Sequence, residues 1–109
     1  MCKVTLCDGE FDGISIHRVT YIKKSKLHID GQDLGIAVEE FWGENEYEYF
    51  YTFSNEMTSY FHTCLKRDLN SEEELLELVA RYYSSESGDK KLRHYCEIKS
   101  IEYEFFNYC

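Results

Sequence analysis

Residues 46–53, Glu-Tyr-Glu-Tyr-Phe-Tyr-Thr-Phe, constrain the fold more than any other stretch. Successive strand side chains point to opposite faces, so Tyr47, Tyr49, Tyr51 and Phe53 share one face and Glu46, Glu48, Phe50 and Thr52 the other. A wholly aromatic face needs a second layer to cover it, so this strand belongs to a sheet backed by other elements. Just upstream, KLHIDGQDLGIAVEEFWG (26–43) reads first as a strand with Leu27 and Ile29 inward. Gly31 then starts a turn, and Asp33 is placed to N-cap a short helix over 34–42. Leu34, Val38 and Phe41 recur there at helical spacing, and Gly43 suits the residue after the helix end.

The rest of the chain supplies the partners. CKVTLC (2–7) alternates as a short strand, with Cys2, Val4 and Leu6 on one face and Lys3, Thr5 and Cys7 on the other. DGEFDG (8–13) has turn chemistry. ISIHRVTYIKK (14–24) is β-branched and aromatic, and its broken alternation predicts a bulge near His17-Arg18. With 26–30 these segments predict a meander. Ser54 or Asn55 opens a helix whose Met57, Tyr60, Phe61, Cys64 and Leu65 make one apolar face, and residues 66–70 break it. Ser71-x-x-Glu74 reads as a capping box for a helix over 72–84 with Leu75, Leu78, Val79 and Tyr82 inward. Asp89 is placed to cap a third helix, 90–99, burying Leu92, Tyr95 and Cys96. IEYEFFNYC (101–109) is a terminal strand, and its aromatic likeness to 47–53 predicts that the two are neighbours. The expectation is a single α+β domain over 1–109: a mainly antiparallel sheet of about five strands with three to four helices packed on one side.

Twelve basic against 21 acidic residues give a formal charge of −9. A nucleic-acid binder needs the opposite sign to displace counterions from phosphate. An acidic surface instead suits a basic protein partner found by electrostatic steering. No 18-residue apolar run is present, so no membrane partner is expected. The first ten residues lack a basic segment followed by an apolar one, which predicts a cytoplasmic protein.

Catalytic and metal chemistry find little support. The cysteines at 2, 7, 64, 96 and 109 include no closely spaced pair of the kind zinc sites use. Cys64 and Cys96 read as small buried hydrophobes. His62 and Cys64, like His94 and Cys96, are two apart on a helix and point to different faces. His17 and His28 would share a metal only if their strands brought them into register. Glu46 and Glu48 sit ~7 Å apart along a strand, a separation that glycosidases use, but nothing sugar-binding accompanies them. We therefore expect no enzyme, no cofactor and no metal. The candidate binding surface is the acidic and aromatic cluster Asp33, Glu39, Glu40, Trp42, Glu44, Glu46, Tyr47, Glu48 and Tyr49, in which Tyr and Trp supply rigid anchors and carboxylates attract Lys or Arg.

The run Leu27-x-Ile29-x-Gly31-Gln32-Asp33-Leu34-Gly35, followed by Val38-x-Glu40-Phe41-Trp42-Gly43 and Glu46-Tyr47-Glu48-Tyr49, resembles a family of short, uncharacterised bacterial proteins with a GQDLG…V-x-E-F-W-G…EYEY motif. The resemblance covers residues 26–53 closely and the first 25 not at all. It implies a bacterial, cytoplasmic, single-domain protein and no activity. In surface character alone the chain is similar to immunity proteins that neutralise toxins. The expectation is an acidic protein that acts by protein–protein binding, as an immunity-type inhibitor of a basic toxin. The alternative is a homodimer or larger homo-oligomer of structural role, and a small enzyme comes last.

Overall fold

The computed structural model describes residues 3–35 and 46–108. Five strands form one sheet in chain order: β1 (Val4–Phe11), β2 (Ile14–Lys23), β3 (Lys26–Gly35), β4 (Glu46–Thr52) and β5 (Glu104–Tyr108). Every neighbouring pair is antiparallel. Three helices, α1 (Asn55–Leu69), α2 (Leu75–Tyr82) and α3 (Gly88–Lys99), lie between β4 and β5 in the chain. They cover one face of the sheet, and the result is the α+β fold expected. Among the described residues no helix is long and apolar enough to cross a membrane.

Two tight hairpins set the registers of the first three strands. Both residues of each connecting pair have positive φ, at Asp12 (51°) and Gly13 (82°) and at Lys24 (53°) and Ser25 (64°). That geometry matches the right-handed twist of the strands it joins. Strand β1 runs on through Asp8 and Gly9 to Phe11, so the turn expected over 8–13 shrinks to Asp12-Gly13. The ring of Phe11 lies within 3.3 Å of where a Cβ on residue 9 would stand. Here a small residue serves packing inside a strand and not a turn.

The bulge lies one strand away from where it was expected. Thr5 pairs with Val19 and Cys7 with Arg18, which leaves Leu6 as the extra residue in β1. Leu6 and Cys7 are consequently both buried, in place of opposite faces. Strand β2 itself is regular, and its inward residues are Ile16, Arg18 and Thr20. Two polar side chains on the core face are what made its alternation look broken.

The Tyr47–Phe53 alternation comes out as expected. Tyr49, Tyr51 and Phe53 are at most 3% exposed and join Leu27, Ile29, Phe61, Leu65, Leu78, Val79 and Leu92 in one core. Strand β5 pairs with β4, placing Phe50 opposite Phe106 and Tyr51 opposite Phe105. Burying a full Leu or Phe side chain contributes roughly 1.5–3 kcal/mol, so this cluster dominates the hydrophobic stabilisation.

Helix boundaries needed several corrections. Strand β3 continues to Gly35, so Asp33 pairs with Ile16 and Tyr47 as a strand residue and is no helix cap. Residues 36–42 of that expected helix fall outside the described residues. Ser54 does cap α1, its Oγ accepting from the Met57 N–H at 3.1 Å. Helix α1 then runs through 66–69 and stops at Asn70, which takes the left-handed conformation at φ 49°. Ser71 accepts from the Glu73 N–H and makes no capping box, so α2 starts later, at Leu75. Asp89 sits inside the first turn of α3, where its charge suits the helix dipole.

Candidate functional site

Strand alternation divides the acidic and aromatic cluster between two faces. Asp33, Tyr47 and Tyr49 point to the helix side. Glu46 and Glu48 point to the open side. Glu39, Glu40, Trp42 and Glu44 lie outside the described residues.

On the helix side, Arg18 is the organising group. It is 2% exposed, and all three nitrogens of its fork are used. Nε donates to the Tyr49 hydroxyl at 3.0 Å, Nη1 to the Ser85 carbonyl at 2.8 Å and Nη2 to the Glu86 carbonyl at 3.3 Å. Asp89 Oδ1 lies 3.4 Å from Nη2. Burial works against the guanidinium charge, but Tyr49 and Asp89 outweigh it and hold the group protonated. The Tyr49 hydroxyl donates in turn to Asp33 Oδ1 at 3.3 Å, and the Tyr51 hydroxyl to Asp89 Oδ2 at 3.5 Å. A cavity of about 110 Å³ opens beside this network, lined by Asp33, Tyr47, Tyr49, Tyr51, Asp89, Arg93 and Phe105.

The charges around that cavity are matched internally. Asp89 meets both Arg18 and Arg93, the latter at 3.9 Å. Burial raises the Asp33 carboxyl above its ordinary range, while the Tyr49 hydroxyl and Arg18 pull it back. Burial also pushes the phenols of Tyr49 and Tyr51 well above theirs, so both are neutral donors. Neither phenol is therefore an anionic nucleophile at neutral pH. The network has the character of a polar clamp that ties the α2–α3 loop to the sheet. Arg18, Tyr51, Asp89, Arg93 and Phe105 were not among the sequence candidates. The one available signal was a basic residue breaking the apolar alternation of β2.

On the open side, Glu46 and Glu48 stand two residues apart on one strand face. Gln32 Nε2 donates to Glu46 Oε1 at 2.7 Å. A hydrogen bond with Glu46 raises the Glu48 carboxyl above its ordinary range, with some burial and the repulsion of Glu46 acting the same way. Beside them the rings of Phe50, Phe106 and Tyr108 cluster, with centroids 5.9 Å apart for Phe50–Tyr108 and 4.9 Å for Phe106–Tyr108. Phe106 and Tyr108 are more than half exposed. The cross-strand row Asp30–Phe50–Phe106 runs beside the row Gln32–Glu48–Tyr108. Among the described residues no ion pair engages Asp30, Glu46, Glu48 or Glu104. The lysines of this face, Lys3 over the Tyr21 ring at 5.0 Å and Lys23 and Lys26 at the β2–β3 hairpin, gather toward one end of the sheet.

His17 and His28 do not meet. The register sets His17 opposite Gln32 and His28 opposite Tyr21, on whose ring it stacks at 5.0 Å. Among the described residues no three metal-ligating side chains gather. Cys7, Cys64 and Cys96 are buried free thiols, the latter two as expected. No family model, no curated protein and no solved structure matches the chain.

Proposed function

We propose that this chain works by binding a basic protein through the open face of its sheet, as an immunity-type inhibitor covers a toxin. The reading rests on one observation. The exposed rings of Phe106 and Tyr108, with the half-buried Phe50 between them and β3, are bordered by Asp30, Glu46, Glu48 and Glu104, carboxylates with no cationic partner among the described residues. Aromatic anchors inside a charged rim are the anatomy of a binding hot spot. A Lys or Arg laid between Glu46 and Glu48 would pair with both carboxylates and replace the Glu46–Glu48 hydrogen bond that, with burial and repulsion, raises the Glu48 carboxyl. The net charge of −9 would steer a basic partner toward the face. The reading takes the protein as bacterial and cytoplasmic and gives it no catalytic role.

Affinity capture from a bacterial lysate of the source organism tests this. Two baits are used: the wild-type chain and a Glu46→Gln/Glu48→Gln/Phe106→Ser chain. A basic protein held by the first, released by salt and not held by the second is the expected result. Identical retained proteins on both baits would overturn the reading.

A further inference from the structure

We propose that β5 also pairs edge to edge with β5 of a second copy, antiparallel and centred on Phe106. The two edges of the sheet are built differently. Strand β1 carries the devices that prevent edge pairing: a bulge at Leu6, and Asp8 and Glu10 beyond it. Strand β5 carries neither a bulge nor a proline, and its only charge is Glu104. All five of its residues are exposed, including Phe105 at 46%, Phe106 at 56% and Tyr108 at 55%. Among the described residues it is hydrogen-bonded to β4 alone, which leaves one side of its backbone open.

The sequence of β5 favours its own copy over a foreign strand. Antiparallel pairing about Phe106 sets Phe106 against Phe106 of the second copy. It sets Glu104 against Tyr108 of the second copy, and Phe105 against Asn107, each twice by symmetry. No like charges oppose one another, and such a self-complementary patch is what a two-fold interface requires. The pairing also extends the Phe50, Phe106 and Tyr108 cluster across the two-fold axis. A five-residue ladder falls well short of the ~1,600 Å² of a standard interface, so the association is concentration-dependent and not obligate. Edge pairing leaves Asp30, Glu46 and Glu48 uncovered and shares only the β5 side chains with the partner surface; it does not depend on the partner reading.

Sedimentation velocity on the full chain, from low-micromolar to near-millimolar concentration, tests the proposal. The mass should rise from 13.0 kDa toward twice that value. Added salt should strengthen association by screening −9 on each copy, the opposite of its effect on a basic partner. Phe106→Lys and Phe106→Glu, each with an unchanged far-ultraviolet spectrum, should be monomeric, and an equal mixture of the two should associate again. A wild-type chain that stays monomeric, a dimer indifferent to both substitutions, or a mixture that fails to associate overturns the proposal.

Discussion

Tyr49 faces Gly31 directly across β4 and β3, and its ring occupies the space that a Cβ on residue 31 would take. Arg18 faces Gly31 from the other side. The missing side chain is what lets the phenol cross β3 and reach the guanidinium. Gly31→Ala should therefore destabilise the chain by about 1–3 kcal/mol, the usual cost of forcing a methyl into a packed core. Urea denaturation checks this. Adding Tyr49→Ala to Gly31→Ala should cost less than the sum of the two single changes, because the smaller residue removes the clash.

Arg18→Met should be more damaging. It takes the donor away from the part-buried Ser85 and Glu86 carbonyls and leaves the half-buried Asp89 with the Tyr51 hydroxyl and Arg93, 3.9 Å away. Removing one partner of a fully buried pair costs about 3–5 kcal/mol; with Asp89 half-buried and still paired to Arg93, the loss should fall at the lower end of that range. Arg18→Lys should recover little, because an ammonium cannot serve Tyr49, two carbonyls and Asp89 in a planar fork. Thermal unfolding of both variants is the measurement.

Asp33→Asn should raise stability at neutral pH. The folded carboxyl titrates above its ordinary value, chiefly through burial, so the folded state binds its proton more readily than the unfolded chain does. Its ionisation consequently opposes folding above the folded pKa. That penalty fades as pH falls toward the unfolded value. The advantage of asparagine should follow the same course, present at pH 7 and gone in acid. Equal stability differences at both pH values would contradict it.

Glu46→Gln should bring the Glu48 titration midpoint down toward the ordinary glutamate value, as read by NMR. The change removes the neighbour that now raises it. Because the folded pKa of Glu48 is raised, the favourable part of the pair is present in acid and lost as pH rises through that pKa. With a basic partner in hand, Glu46→Gln/Glu48→Gln should also flatten the salt dependence of its affinity.

The sheet was legible where period-two alternation was carried by apolar residues. Leu27 and Ile29, and the run from Tyr47 to Phe53, announced their inward faces directly. It failed where polar or small residues point inward. Arg18 and Thr20 made a regular strand look bulged, while the true bulge at Leu6 sat inside apparent alternation. Gly31 and Asp33 continue the inward face of β3, yet they carry turn and cap chemistry, so the strand seemed to end early. The same cause split the candidate site: alternation had already put Glu46 and Glu48 opposite Tyr47 and Tyr49, and only three-dimensional contacts could show what each face meets. The ion pair of Arg18 with Asp89 leaves no local trace, since the fold alone brings those residues together.

The Arg18 fork has a consequence for synthesis. In synthesis its guanidinium precedes Ser85 by 67 residues and Glu86 by 68, and Asp89 comes later still. Until they arrive, the inner face of the sheet lacks these partners for the Arg18 charge, and burying that charge without them is costly. A chain cut before Ser85 loses these acceptors together with α3 and β5, and should stay loosely packed and bind a hydrophobic dye.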